Sequence, residues 1–481
     1  MKFTYTLRDQ KTGSFIKDGS FESDQPYYEI AHILNDVDIT KGSVSAVFTD
    51  ANNRSAEYTV VKKNPKFIKN EYNGFPRSYL DDMTKLEPRY LTCVNPEFNN
   101  YKFYQIEIKN GRTHVQYGRI GDDNGRFGVR EYDYDLDMYW VKYFEKISKG
   151  YVDQSELKTF KEITPSAAAK ATELMDIKNE DIKDIVDLLI SRQRAYVAKN
   201  YAYTKGNTGF SMKAIEKVNK LLDDMQNMLE EDGSFKAGRS VEYKQKMYEV
   251  ISILPRLIDN VNYYVEDSMR RPQVTIDRER DLVDALKAIV EHDMAAQTNQ
   301  DKDKTILDKL NLKMESITFD EKLTVQQKMT NKVGCVDRII KVTNGKTDKA
   351  FKECLKEKGI EKRGIELLFH GSRRENWWSI ISNGMSLNPN AIVTGKMFGQ
   401  GLYFAPKAEK SMGYTDRAGS FWAKGNDDKG FLALYEVAMG KPYHPHRALG
   451  SNFRGRDLAH GCHSVYARAA DTGLGNCNEI K

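Results

Sequence analysis

Alternating apolar and polar positions dominate the first third of the chain, and a 3.6-residue apolar repeat dominates its middle. Within residues 1–65, FTYTLRD, SVSAVFTD and AEYTVVKK alternate as half-buried strands do, around one helical stretch at PYYEIAHIL. They predict a small α+β unit whose role the pattern does not name. The basic stretch KKNPKFIKNEYNGFPR then reads as a linker, with the break set at residues 66–87. Residues 88–162 form a second unit. There NNYKFYQIEIKNGRTHVQYGRIG gives two alternating strands joined at Asn110-Gly111, a pair suited to the positive φ of a tight hairpin turn. MYWVKYFEKISKGYV follows as a helix with aromatic and cationic residues interleaved.

Residues 170–300 are helical by period. Ile182, Ile185, Val186, Leu189 and Ile190 fall on one face of one helix, and Ile215, Val218, Leu222, Met225 and Leu229 on one face of another. VEYKQKMYEVISILPRL and RERDLVDALKAIVEHD add two more helices. Stripes of this kind are core, so the segment reads as a helical bundle without chemistry of its own. From 305 to 481 the pattern changes again. One helix, DKAFKECLKEKG, precedes short apolar strands at IELLFH, GLYFA, FLALYEVAMG and HSVYARA. The fold class expected is a multidomain α+β protein.

Length and composition narrow the class. A chain of 481 residues holds about three domains. No stretch approaches the roughly 18 apolar residues of a membrane span, and the start, MKFTYTLRDQKTG, lacks the apolar core of a signal peptide. An intracellular protein with no membrane partner is expected. Cys93, Cys335, Cys354, Cys462 and Cys477 are scattered and form no C-x-x-C pair, which argues against a disulfide framework or a zinc finger. The net charge of +5 permits nucleic-acid contact without demanding it. Arg112, Arg119, Lys142 and Lys146, with Tyr117 and Tyr143, can line one basic, aromatic surface suited to a nucleic-acid backbone. They are equally what a solvated charged face would carry.

Chemistry concentrates in the last unit. LLFHGS ends a short buried strand in an imidazole (His370), an unhindered backbone (Gly371) and a hydroxyl (Ser372). TGKMFGQGLYFAPKAEKSMGY places Tyr403 at the end of a strand, with Lys410, Ser411 and Tyr414 on a following helix. GNCNEIK carries Glu479. His370, Tyr403 and Glu479, on three separated strand ends, can converge on one cleft. GQG at 399–401 lacks the third glycine of a dinucleotide fingerprint, and TGK lacks the first glycine of a P-loop. His444, His446, His460, Cys462 and His463 crowd one region from which two pairs of zinc ligands can be drawn.

These three stretches resemble the signature of the poly(ADP-ribose) polymerase family, in its clade with a His-Tyr-Glu triad. VQYGRIG is similar to the family's WGR domain, with Tyr117-Gly118-Arg119 where Trp-Gly-Arg is usual, and KMYEVISILPR is similar to the regulatory helical domain of DNA-dependent members. The resemblance covers about 88–481. It implies a WGR domain at 88–162, a regulatory helical domain at 170–300 and a catalytic ADP-ribosyltransferase domain at 305–481. It also implies NAD+ as substrate and no metal, since the corresponding histidines bind none.

The resemblance further implies residue roles. The Gly371 backbone and the Ser411 hydroxyl would hold the nicotinamide carboxamide, with Tyr414 stacked on the ring and Tyr403 as the facing wall. His370 and Ser372 would hold the adenosine-side ribose. Glu479 would be catalytic, binding the nicotinamide-ribose hydroxyl and stabilising positive charge on the sugar, with Lys410 as a helper. Tyr117, Gly118, Arg119, Arg112 and Lys142 would contact DNA ends or nicks. Partners would be DNA, protein acceptors including the chain itself, and an accessory factor completing the site. Location would follow DNA, in a nucleus if the source has one and the cytoplasm otherwise.

Two departures from the family pattern are expected to matter. The stretch between HSVYARA and Glu479 is short, and the chain stops at Lys481, where the family continues. The short stretch points to less elongation, and the end at Lys481 to either a truncated sequence or a brief edge strand holding the carboxylate. A mono-ADP-ribosyltransferase or NAD+ glycohydrolase therefore stays open as an alternative, as does a DNA-end-binding scaffold with weak catalysis. Cys477, two residues before Glu479, argues against an arginine-specific toxin.

Overall fold

A computed structural model describes residues 1–37, 42–61, 66–69, 75, 77–95, 98–121, 128–159, 177–202, 209–232, 238, 240–297, 304–385, 397–399, 401–420, 423–450 and 453–472. The fold is multidomain α+β, and it divides into two compact units. The first comprises 1–162 with two returning segments, 202–210 and 251–264; the second holds the rest.

The first unit contains two five-stranded antiparallel sheets. One is built from β1 (Lys2–Asp9), β2 (Phe15–Glu22), β3 (Ser43–Asp50), β4 (Ser55–Val61) and β5 (Lys66–Lys69), in the order β2-β1-β3-β4-β5. β3 buries every second residue, as its sequence alternation requires. Helix α1 (Pro26–Asn35) covers this sheet, with Ile30, Ala31 and Leu34 buried beside Phe3 and Phe48. β2 and β5 are absent from the hydrophobic pattern. β2 has no buried residue on either face, so nothing in its composition marks it as a strand.

The second sheet is β6 (Arg89–Asn95), β7 (Asn100–Lys109), β8 (Arg112–Arg119), β9 (Arg130–Tyr134) and β10 (Val152–Asp153), in the order β10-β6-β7-β8-β9. Asn110 (φ 53°) and Gly111 (φ 70°) close the β7–β8 hairpin in the left-handed conformation that their sequence announces. Helix α2 (Met138–Ser148) lies against this sheet and against α1. Tyr28 of α1 meets Trp140 and Phe144 of α2 with ring centroids 4.8 and 5.3 Å apart. One continuous apolar core therefore runs from Phe3 to Phe144.

Two returning segments complete this unit. Gly209–Phe210 (β12) pairs with Lys158–Thr159 (β11). The Tyr101 hydroxyl donates to the Ile251 carbonyl (3.1 Å) and accepts from the Arg256 N–H (2.8 Å). Thr92 and Ser252 share a buried hydrogen bond of 2.8 Å.

The second unit combines helices with short strand pairs. Its helices are α3 (Glu180–Asn200), α4 (Met212–Asp232), α5 (Val241–Ile253), α6 (Val261–Arg270) and α7 (Pro272–Gln297), the ends of α5 and α6 belonging to the first unit. Ile215, Val218, Leu222, Met225 and Leu229 are all buried, and in α3 so are Ile182, Val186, Leu189 and Ile190. The strand pairs are β13 (Leu312–Ser316) with β14 (Ile340–Asn344), β15 (Ile365–Gly371) with β16 (Leu432–Ala438), and β17 (Pro442–Tyr443) with β18 (Ser464–Val465). Helices α8 (Phe319–Met329), α9 (Gly345–Lys358), α10 (Arg374–Asn383) and α11 (Ala408–Met412) lie among them. HSVYARA is thus a two-residue strand, shorter than its pattern suggests. GLYFA is not a strand: its one ladder contact is the bridge between Ala405 and Phe369. Pro406 follows at once and has no N–H with which to extend a ladder.

Candidate active site and nucleic-acid surface

The active-site candidates gather around the end of β15. Leu368 and Phe369 are buried, anchoring the strand against β16 and, through Ala405, against the segment that carries Tyr403. The Phe369 N–H donates to the Ala405 carbonyl (2.7 Å) and the Ala405 N–H returns a bond of 2.9 Å. This double bridge sets Tyr403 beside His370, whose Nδ1 lies 3.0 Å from the Tyr403 carbonyl. With Nδ1–H donating to that carbonyl, the neutral ring keeps Nε2 as an acceptor. Phe404 and Trp377 stand around the imidazole, with centroids 5.8 and 6.4 Å away. Burial lowers its pKa below the ordinary 6.5, against a smaller opposing effect of the Tyr403 carbonyl.

Gly371 has no room for a side chain. A Cβ there would fall inside the Ser411 carbonyl, so only glycine lets the strand approach α11 this closely. Ser411 is buried on α11 and donates from its hydroxyl to the Phe369 carbonyl (3.0 Å). Tyr414 lies two residues past the end of α11, in a turn rather than on the helix, its N–H donating to the Ser411 carbonyl (3.1 Å). The Tyr403 hydroxyl donates to the Gly399 carbonyl at 2.6 Å. Burial, with a further contribution from nearby Tyr414, pushes its pKa up to about 12. Ser372 accepts from the Asn376 amide (3.1 Å), and its carbonyl accepts from the Trp377 indole (3.1 Å). Lys410 is half-buried on α11. His370, Gly371, Ser372, Tyr403, Ser411 and Tyr414 therefore share one small region, while Glu479 lies outside the described residues.

Two helices back this region. Gln193 of α3, fully buried, donates to the Ala285 carbonyl of α7 (2.8 Å) and accepts from the Ser379 N–H of α10 (2.9 Å). Arg194 pairs with Asp293 in the same layer and donates to Nδ1 of His292 at 3.1 Å. These residues carry no motif. The apolar stripes conceal them, and no sequence signal short of the contacts themselves marks them out. Two of the histidines weighed as zinc ligands have other partners: Nδ1 of His463 accepts from the Lys441 N–H (3.1 Å), and His444 Nδ1 lies 3.2 Å from the Tyr466 carbonyl. Among the described residues no three His, Cys, Asp or Glu side chains come together as a metal site would need. None of the described helices is long and apolar enough to cross a membrane.

In the first unit, Tyr117 stacks between Tyr104 and Tyr132, with centroids 5.7 and 6.0 Å away. Arg119 turns its guanidinium onto two backbone carbonyls, those of Asn99 (2.9 Å) and Asp259 (2.6 Å). Gly118 meets the Gly128 carbonyl so closely that a Cβ would stand 3.0 Å from it. Arg112 lies 3.7 Å from Asp135. Lys142 lies over Tyr134, 4.4 Å from the ring centroid, and 3.1 Å from Glu145.

Comparison with known proteins assigns both regions. Residues 316–471 match the poly(ADP-ribose) polymerase catalytic domain, and residues 87–158 match the WGR domain. Poly [ADP-ribose] polymerase 2 of Homo sapiens is 39% identical over 100 residues, which are 21% of this chain and 16% of the human protein. Poly [ADP-ribose] polymerase 1 of Gallus gallus is 26% identical over 327 residues, 63% of this chain and 30% of the chicken protein. Poly [ADP-ribose] polymerase 2 of Arabidopsis thaliana is 45% identical over 75 residues, 15% of this chain and 11% of that protein. The chain thus spans less than a third of the length of these relatives. It carries a region that matches the WGR domain, followed by a region that matches the poly(ADP-ribose) polymerase catalytic domain.

Proposed function

We propose that this chain cleaves the bond between nicotinamide and ribose in NAD+ and transfers ADP-ribose to protein side chains under the control of DNA ends or nicks. The observation that carries this reading is the close approach of Gly371 to Ser411, with Tyr403, Tyr414 and His370 around it. A bare backbone beside a buried hydroxyl suits a carboxamide, and two tyrosines suit the flat ring attached to it. His370, neutral and with Nε2 as acceptor, suits a ribose hydroxyl at the other end of the dinucleotide, with Ser372 beside it. Holding both ends fixes the reacting bond between them. Glu479 would stabilise positive charge growing on the ribose and polarise the acceptor. Lys410 would assist on the acceptor or phosphate side.

Tyr117, Gly118, Arg112 and Lys142 would serve the DNA contact, with Arg119 fixing the 251–264 segment on the same sheet. DNA would favour a state in which the helices at 170–300 release the catalytic region at 305–481. Such a switch requires DNA to bind the released state more tightly. Elongation to poly(ADP-ribose) completes the proposal. The test is the full chain incubated with labelled NAD+, with and without a nicked duplex, its products separated on a denaturing gel. A DNA-dependent ladder is expected. Discrete single additions would make the chain a mono-ADP-ribosyltransferase, and labelling that ignores DNA would overturn the control.

A further inference from the structure

Lysines on an exposed helix normally spread into water, because like charges repel and long side chains keep their entropy there. Two lysines of α2 and Lys149, which caps its C-terminal end, do the opposite. Lys142, Lys146 and Lys149 direct their ammonium groups onto one carboxylate, that of Glu145, at 3.1, 3.4 and 2.7 Å. The Glu145 side chain is only 11% exposed, and those of Lys142 and Lys146 are 16% and 17% exposed. Burial alone would raise the Glu145 carboxyl, yet the three cations hold it below the ordinary range.

Aromatic faces hold two of the lysines as well. Lys142 lies 4.4 Å from the ring centre of Tyr134, and Lys146 lies 4.4 Å from that of Tyr104. Among the described residues Glu145 is the one carboxylate within ion-pair range of the three, so two positive charges stand unbalanced. Two nearby arginines are each matched with one carboxylate: Arg89 with Asp153, and Arg112 with Asp135. A fixed excess of two cations beside a ladder of stacked tyrosines asks for a ligand that is both anionic and flat. From Lys146 the ladder runs through Tyr104 and Tyr117 to Tyr132, which is half exposed.

We infer that Glu145 is a positioning residue, gathering Lys142, Lys146 and Lys149 into a phosphate clamp for a nucleic-acid strand whose sugars or bases lie on the tyrosine ladder. The inference rests on the nucleic-acid reading above and adds to it the device that orders the cations. It also carries an expectation opposite in sign to simple charge counting. Replacing Glu145 by Gln adds positive charge to the surface, which by Coulomb attraction alone tightens DNA binding. Loss of the carboxylate frees the lysines to disperse, which weakens a clamp.

The experiment uses the full chain and a nicked duplex, with affinity measured over a salt series. Unfolding midpoints confirm that each variant is folded. At about 0.15 M salt, where distant charges are screened, Glu145→Gln is expected to weaken binding several-fold. Lys146→Gln and Lys149→Gln should each lower the steepness of log K against log salt by about one, as loss of one phosphate contact does. Tighter binding by Glu145→Gln, or an unchanged slope in both lysine variants, would overturn the clamp while leaving DNA binding intact. A wild-type chain that does not bind the duplex would overturn both.

Discussion

At the scale of single residues, the candidate site depends on one glycine and one imidazole. Because a Cβ at Gly371 would occupy the place of the Ser411 carbonyl, Gly371→Ala must push β15 and α11 apart. A shift of about 1 Å in a reacting geometry costs on the order of 10²-fold in rate. Gly371→Ala should therefore lose that much NAD+ turnover while circular dichroism and thermal midpoint show a folded protein; near-normal turnover would remove Gly371 from the site. His370 is held neutral by burial, with a pKa below 6.5. Neutral imidazole persists until the pH falls through that lowered value, and protonation then costs both folding stability and the acceptor proposed for the ribose. The KM for NAD+ should accordingly be flat near neutrality and rise only in acid, below about pH 6.5. His370→Gln should abolish that rise. The sequence exposed this site because His-Gly-Ser, Tyr403 and Ser411 sit in short, local motifs. It could not expose Gln193 or Arg194, polar residues within apolar stripes whose partners lie about a hundred residues or more away.

At the scale of elements, what the sequence revealed follows burial. β3 and the helices α3 and α4 bury one face each, β7 and β8 bury residues on both faces, and each was legible. β2, with no fully buried residue, was not. GLYFA read as a strand because its composition suits one, but Pro406 stops the ladder at Ala405. The β11–β12 pair was invisible for another reason: it joins residues about fifty positions apart by two residues each. It also holds an unusual group. Lys158 is buried between the rings of Tyr90 (4.9 Å) and Phe210 (4.4 Å), its amine 3.5 Å from the Ile253 carbonyl, and desolvation lowers its pKa from 10.5 to about 7. Below pH 7 both folded and unfolded states carry the proton and the penalty is full. Between about pH 7 and 10.5 the unfolded chain retains the proton that the folded chain has lost, so stability rises with pH. Hydrogen exchange of residues 251–256, corrected for intrinsic rates, should slow across that window. Lys158→Met should be more protected at pH 7 and lose the pH dependence; an unchanged slope would place the titration elsewhere.

At the scale of the whole molecule, the described residues of 1–61 share one apolar core with the WGR domain. Trp140 and Phe144 of α2 are buried against Tyr28 and His32 of α1. Removing residues 1–86 should expose both rings and cost the WGR domain roughly the 3–5 kcal/mol of a lost aromatic core contact. A lower thermal midpoint and red-shifted tryptophan emission would show it; a WGR domain of unchanged stability would contradict the shared core. The central claim spans both units, joining a DNA-contacting sheet to an NAD+-cleaving site in one chain. It is tested most directly by nicotinamide release from NAD+, measured for the full chain with and without a nicked duplex, beside Glu479→Gln. The account predicts release that rises strongly with DNA and disappears in the variant. Release that persists in Glu479→Gln, or no release under either condition, would contradict it.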